Sequence, residues 1–425
     1  MPQLNEEIKR NLLSVERRDY LLFKFLLLIV FISSINLKTR GFSELTETPV
    51  NLYNLNRVIG TILIVFLSLL FLIKNQSIKI RIPKVLVYFL FYAGSGAIGT
   101  ILNATYIGYS AFKLAEVFAM IILGMILFTL SFYSKQFIKS ISEKYSIGFL
   151  KLIHLVILAN LLLLGTKSFI ASKDYNFLGR LTTRFPPIAP NEIGFIAIFL
   201  LFYEIIKKEE KNKLIWIVLS ITFLILSIGR AAILSFVLGL TYYAIFLQKQ
   251  LLKKAIIIIP MILIVAFSKN ILFQYLMRGE SEYSITTLSG RIEYWTDAIQ
   301  HFKTLDVSSK IFGSGFAIGV RKFVMTYAGE EGTSFDNDLV NALFSGGIIG
   351  AFFLLLLYVR ILSLSRKLHK RFPYYILFTI AIFIRGFSIA NFSVYNLLLP
   401  FIIIWLTLME IDFDDEKDTF NRLRM

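Results

Sequence analysis

Apolar runs of about 17–25 residues, the length a helix needs to cross a bilayer, recur along the chain with short polar stretches between them. Twelve can be read, at roughly 20–36, 56–73, 83–102, 111–133, 147–171, 188–206, 213–228, 230–247, 254–273, 338–361, 373–390 and 395–411. The pattern predicts an all-α, polytopic membrane protein with about 12 transmembrane helices, in which Gly229 and Arg230 mark a tight turn between the seventh and eighth. One polar excursion interrupts the rhythm, residues 274–337 between helices 9 and 10. The chain therefore reads as a single polytopic domain, 1–425, with 274–337 inserted as a large extracytoplasmic loop. Inside that loop Ile292, Trp295, Ile299 and Phe302 fall on one helical face, which predicts a helix over 290–303 lying along the membrane surface. In the tenth run, Gly346 and Gly350 form a small-xxx-small pair suited to close packing on a neighbouring helix.

Composition agrees: of 425 residues, 56% are hydrophobic, and mean hydropathy is +0.70, more than a soluble core absorbs. The net charge of +17 is distributed in a way that fixes orientation. Lys9, Arg10, Arg17 and Arg18 precede the first span, and Lys74, Lys79, Arg81 and Lys84 follow the second. Lys135, Lys139 and Lys144 follow the fourth, Lys207, Lys208, Lys211 and Lys213 the sixth, Lys249, Lys253 and Lys254 the eighth, and Arg366, Lys367, Lys370 and Arg371 the tenth. With twelve spans all these clusters share one side, which the positive-inside rule makes cytoplasmic along with both termini. The excess is thus topogenic, and no nucleic-acid partner is expected. Residues 1–19 are polar and no small-residue cleavage site follows the first run, so no cleavable signal peptide is expected. There is no cysteine, and His154, His301 and His369 are far apart; thiol chemistry is excluded and neither a metal nor a cofactor is expected. No GxxxxGK[ST] or GxGxxG run offers a nucleotide loop.

The other side breaks the rule. Arg180 and Arg184 follow span five, Arg230 stands at the ends of spans seven and eight, Arg278, Arg291 and Arg321 lie in the long loop, and Arg385 is inside span eleven with no acid nearby in sequence. Arginines kept where topology disfavours them point to an anionic partner, and phosphate or pyrophosphate suits the planar guanidinium fork. Lys113 and Glu116, three residues apart in span four, read as an internal ion pair. The tail DFDDEKD at 412–418 reads as a frayed cytoplasmic end.

Four patches carry a resemblance: RFPPIAPNEIGFIAIFL, LSIGRAAILSF, SGRIEYWTDAIQHF followed by IFGSGF, and FDNDLVNALFSGGIIGAFF, in that order over roughly 180–360. Together they resemble the O-antigen polymerase and O-antigen ligase superfamily (Wzy and WaaL). Ligases of that family carry His before the Asn of the fourth patch, whereas this chain has Asp336, which is more similar to the polymerases of capsule and exopolysaccharide pathways. The resemblance implies glycosyl transfer between undecaprenyl-diphosphate-linked oligosaccharides at the outer face of a bacterial cytoplasmic membrane. A flippase and a chain-length regulator are then the expected partners. The departing pyrophosphate gains charge in the transition state and needs fixed cations, so Arg184, Arg230 and Arg291 are assigned to it with Arg180 as a fourth; the acceptor hydroxyl needs a base, for which Asp336 is the candidate. Asn191, Trp295, Arg321 and Asn337 are candidate substrate contacts.

Each residue also has a structural reading. Arg184 and Arg230 can bind lipid headgroups, Arg291 can be a solvated helix residue, Asp336 or Asp338 can cap the tenth helix, and Asn191 and Asn337 can cap helix ends. Three rival functions stand beside the polymerase: ligase chemistry, a flippase for lipid-linked oligosaccharide, and a non-catalytic partner in an assembly complex.

Overall fold

The computed structural model describes residues 21–35, 37, 54–74, 79–104, 106–170, 179–207, 212–248, 291–317, 337–392 and 396–422. The predicted ninth span, Asp336 and Arg321 lie outside these residues, as does most of the 274–337 segment. The described chain is 84% helical. Its only described strands are two antiparallel pairs of two residues each: β1 (Phe169–Ile170) with β2 (Arg180–Leu181), and β3 (Thr183–Arg184) with β4 (Pro187–Ile188).

The helices are α1 (Leu21–Ser33), α2 (Leu55–Lys74), α3 (Lys84–Asn103), α4 (Ile107–Leu164), α5 (Pro190–Ile206), α6 (Lys213–Ser227) and α7 (Arg230–Tyr242, continuing as a π turn to Leu247). They continue with α8 (Arg291–Thr304), α9 (Val307–Phe312), α10 (Asp338–Leu368), α11 (Pro373–Gly386) and α12 (Leu399–Arg422). Every predicted span except the ninth falls on one of them, the fourth and fifth sharing α4. Four segments, Lys84–Asn103, Ile107–Ser168, Arg230–Leu247 and Asp338–Leu368, are long and apolar enough to cross a membrane. Large apolar side chains such as Ile101, Leu162 and Leu163 stay more than 70% exposed, an arrangement that water would disfavour and hydrocarbon does not.

The core is built around α5 and the first half of α12, which are largely apolar and buried on all sides. Phe195 to Leu201 in α5 and Leu399 to Leu406 in α12 are almost wholly inaccessible. Trp405 sits in an aromatic cluster with Tyr374, Tyr375, Phe378 and Phe401, ring centroids 4.9–5.8 Å away.

Two expectations need correction. The basic stretch after the fourth span is helical: α4 leaves helical geometry only at Ser134 (φ −150, ψ 69) and resumes at once. The acidic tail is not frayed at its start. Asp412 is buried, accepts from Lys139 Nζ at 2.7 and 2.8 Å and from the Tyr375 hydroxyl at 2.7 Å, and α12 runs on to Arg422. A buried carboxylate with three such hydrogen bonds is satisfied where it stands. The Lys113–Glu116 pair forms at 2.9 Å, and Arg57 joins it with two bonds of 2.7 Å.

The glycines of the third and fourth patches form one joint. Gly346 and Gly350 lie against Tyr92 and Gly96 of α3, the close packing expected of them. The sharpest approach is at Gly347, where α10 breaks with φ +65. A Cβ there would stand 2.2 Å from the Ile311 carbonyl oxygen, so glycine is required both by backbone conformation and by space. Into the break fits the loop after α9. Asn103 Nδ2 donates to Gly313 O at 2.8 Å, Ser95 Oγ to Gly346 O at 2.6 Å, and Ser314 N to Phe344 O at 2.8 Å. The loop between α8 and α10 is thereby anchored to α3 and to the first third of α10.

Helix α8 appears where the apolar spacing predicts it, but its buried face is narrower. Ala298 and Phe302 pack on Val340 and Phe344 at the start of α10, with Trp295 against the same cluster, whereas Ile292 and Ile299 remain exposed.

Candidate active site

Several of the predicted residues converge where α5, α7 and α10 begin and α6 and α11 end. The segment leading into α5 folds back on itself through the two short strand pairs and is pinned by Asn160, near the end of α4. Asn160 Oδ1 accepts from the backbone N–H groups of Arg184 and Phe185 at 3.2 and 3.3 Å, and its Nδ2 donates to Phe185 O at 2.9 Å. Pro190 then opens α5 at its first turn, where a missing N–H costs nothing.

This puts Arg180 beside the next helix end. Its Nη2 donates to Asn191 Oδ1 at 2.5 Å and its Nε to Ser227 O, the last residue of α6, at 3.2 Å. Between α6 and α7 the chain turns through Ile228 in left-handed conformation (φ 45) and an extended Gly229. Gly229 lies alongside Asn191: a Cβ on it would be 3.9 Å from Asn191 Oδ1. Arg230 is the first helical residue of α7 and is half-buried. Thus Arg180, Asn191 and the turn that carries Arg230 lie together where α5 and α7 begin, helix ends whose dipoles add to the positive potential.

Arg184 does not join this patch. Its side chain is exposed and its Nε donates to Lys167 O at 3.2 Å. Arg291 and Trp295 are carried by α8 and are both half-buried, held near the start of α10 by the packing of that helix. Asn337 is the cap of α10: its Oδ1 accepts from the N–H groups of Leu339 and Val340 at 2.9 and 3.1 Å, the structural alternative foreseen for it.

A buried polar network next to the patch was not foreseen. Asp338 is almost wholly buried. It accepts from the Tyr358 hydroxyl at 2.5 Å, from Asn391 N at 2.7 Å and from Phe392 N at 3.2 Å. Asn391 Nδ2 donates to the Tyr358 oxygen at 3.0 Å, and its Oδ1 accepts from Arg385 Nη1 at 2.6 Å. Arg385, fully buried, reaches toward Glu192 of α5, with 3.8 Å between Nη2 and Oε1. The acid partners missing from the neighbouring sequence of Arg385 are therefore Glu192 and Asp338, brought in from α5 and α10. The signal in sequence was the cost of an intramembrane arginine, which demands partners but does not name them.

Outside the transmembrane helices, Asp306 caps α9. Its carboxyl is held well below the usual carboxylate range by hydrogen bonds from the Ser308 hydroxyl and from the backbone N–H and hydroxyl of Ser309. His154 is buried in α4, with its ring nitrogens on Leu150 O at 2.8 Å and Ser220 Oγ at 3.1 Å, a packing role. No group of three His, Cys, Asp or Glu among the described residues could hold a metal ion. A cavity of about 550 Å³ opens at the far end of α5, lined by Lys139, Lys144, Lys151, Lys207, Glu143 and Tyr203 among others. Three of its lysines are engaged by Asp412, Glu204 and Glu143, and it is remote from the arginine patch.

Residues 215–355 match the O-antigen ligase family. The match supports the O-antigen polymerase/ligase superfamily and does not separate the polymerase from the ligase. Members of this O-antigen ligase family are membrane enzymes of glycosyltransferase type acting on lipid-linked oligosaccharides. No curated protein matches the chain. The matched stretch runs from α6 into α10 and includes Ser227, Arg230, Arg291, Trp295, Asn337 and Asp338. Arg180, Asn191, Glu192 and Arg385 lie outside it, yet Arg180 is bonded to it at Ser227 and Arg385 joins it through Asn391 and Asp338.

Proposed function

We propose that this protein is a polysaccharide repeat-unit polymerase of a bacterial cytoplasmic membrane. It joins undecaprenyl-diphosphate-linked oligosaccharides at the outer face, and its product is a capsule or exopolysaccharide. The observation that carries this is the convergence of Arg180, Asn191 and Arg230 within a fold whose 215–355 stretch is of O-antigen ligase type. A lipid pyrophosphate lying in the bilayer would meet fixed guanidinium groups and helix N–H donors at the moment its bond to the sugar breaks and its charge grows. A second lipid-linked unit supplies the attacking hydroxyl. The energy is that of the donor's own phosphate–sugar bond. In this reading Arg291 of α8 completes the cationic set, Arg321 is a further candidate outside the described residues, Arg184 stands apart from the patch, and Trp295 offers a sugar an aromatic face. The resemblance nominates Asp336 as the base. On the twelve-span reading, with both termini in the cytoplasm, this end of the bundle faces outward.

The runner-up is the ligase reaction, transfer of a finished glycan to a different acceptor, the reaction for which the matched family is named. Both use the same leaving group. The test is glycan synthesis in cells carrying single variants at normal membrane abundance. Arg180→Ala, Arg230→Ala and Arg291→Ala are expected to abolish polymer, with Arg184→Ala milder. Wild-type chain lengths in the first three would remove the pyrophosphate assignment.

A further inference from the structure

We propose that Glu192, facing Arg385, takes the proton of the acceptor hydroxyl, the role for which the resemblance nominates Asp336. The inference rests on the glycosyl-transfer function just proposed and names a catalytic group for it.

Glu116, Glu410 and Glu192 each face an arginine, and they are built differently. Glu116 is closed: Arg57 donates twice at 2.7 Å, Lys113 adds a bond of 2.9 Å, and the carboxylate is wholly inaccessible. Glu410 is closed too, with Arg360 donating at 2.9 and 2.6 Å and Val85 N at 2.9 Å. Such bidentate pairs leave a carboxylate little capacity for anything else. Glu192 is the exception. Its arginine stands 3.8 Å away, beyond hydrogen-bond reach, and a fifth of its side chain is open.

The arginine is equally unusual. Arg385 is fully buried, and its Nε and Nη2 have no hydrogen-bond partner among the described residues. Buried guanidinium N–H groups left without acceptors are costly, and these stand beside the carboxylate at the mouth of α5. The rest of the guanidinium is fixed by Asn391 Oδ1 and Ala390 O, and Asn391 by Asp338 and Tyr358. Arg385 is thus a positioning residue, clamped on one side and presenting unused donors on the other.

Position does the rest. Glu192 follows Asn191, whose amide oxygen holds Arg180. A carboxylate and a pyrophosphate-binding arginine are therefore anchored at adjacent residues of one helical turn. In the proposed arrangement, an acceptor oxygen approaching the anomeric carbon beside that arginine meets the carboxylate carried by the same first turn of α5. In the step, the acceptor oxygen forms its bond to the anomeric carbon and the carbon–oxygen bond to pyrophosphate breaks, its electron pair leaving with the phosphate. The acceptor's proton passes to a Glu192 carboxylate oxygen and from there to water.

The test uses the full chain in lipid nanodiscs, with lipid-linked saccharides extracted from a strain lacking the protein. Glu192→Gln is expected to lower kcat by at least about 100-fold, the usual contribution of a positioned base, while KM for the lipid-linked substrate stays within about threefold. Glu192→Asp keeps the charge opposite Arg385, accumulates normally and loses roughly 10-fold, because the carboxylate is drawn back by one methylene. Glu192→Gln or Glu192→Asp turning over at the wild-type rate would overturn the assignment, as would a rise in KM that accounts for the whole loss. Those outcomes leave the polymerase function standing. A wild-type protein that joins no saccharides would instead remove that function, and this inference with it.

Discussion

Replacing Asp338 with alanine probes the network that ties α10 to α11 and to α5. The carboxylate accepts three hydrogen bonds, from the Tyr358 hydroxyl and from the backbone N–H groups of Asn391 and Phe392. It is also a counter-charge for a fully buried Arg385. Alanine leaves those donors buried without an acceptor, at about 1–3 kcal/mol each. Partial relaxation of the tyrosine hydroxyl brings the total to about 3–5 kcal/mol, the range for breaking a buried charge pair. Asparagine behaves differently. Its Oδ1 still accepts from the two backbone N–H groups, and the Tyr358 hydroxyl can turn to accept from Nδ2. The cost is then about 1–2 kcal/mol, the difference between charged and neutral hydrogen bonds. Heating the purified protein in detergent and measuring the folded fraction by size exclusion reads both. Asp338→Ala should lower the midpoint by on the order of 10 °C and Asp338→Asn by only a few degrees. Equal midpoints for Asp338→Ala and wild type would refute the reasoning, because three buried donors would have lost their acceptor at no cost.

Gly347→Ala should prevent the loop after α9 from seating, since a Cβ would collide with the Ile311 carbonyl at a positive φ. A loss of about 3 kcal/mol or more and protease sensitivity in the α8–α10 segment are the expected outcome; wild-type resistance would contradict it. Arg180→Ala and Asn191→Ala remove two halves of one contact, so the double variant should lose little more thermal stability than either single one, and full additivity of the midpoint shifts would separate them. Asp306 has a depressed carboxyl in the folded state. Its contribution is therefore complete above its ordinary value of 3.8 and fades as pH falls below that value toward the depressed one. Hydrogen exchange in α9 should rise over that acidic range in the wild type and be indifferent to it in Asp306→Asn.

Much of the bundle was legible because its signals are local. The apolar runs, Pro190 opening α5 and the Gly229–Arg230 turn each announce an element boundary within a few residues. The Gly346–Gly350 pair likewise predicts close packing, although Gly347, which no spacing rule selects, makes the break. The arginine patch was legible in part: topology singles out Arg180, Arg184 and Arg230, but only the fold brings Arg180 to Asn191 and turns Arg184 toward Lys167 O. The Glu192–Arg385–Asn391–Asp338 network was not legible, because its members come from α5, α11, the segment before α12 and α10, and charge pairing across such separations leaves no periodic trace. Asp412 misled for the same reason. In sequence it opens an acidic tail, and only packing puts Lys139 and Tyr375 on it.

The central claim concerns which bond this protein makes, and the most direct test is the profile of lipid-linked glycans in cells lacking it, resolved by repeat number and by leaflet. A polymerase predicts single repeats accumulating at the outer leaflet with no longer chains. Long chains stranded on the carrier lipid would contradict it in favour of ligation, and single repeats confined to the cytoplasmic leaflet would contradict it in favour of transport.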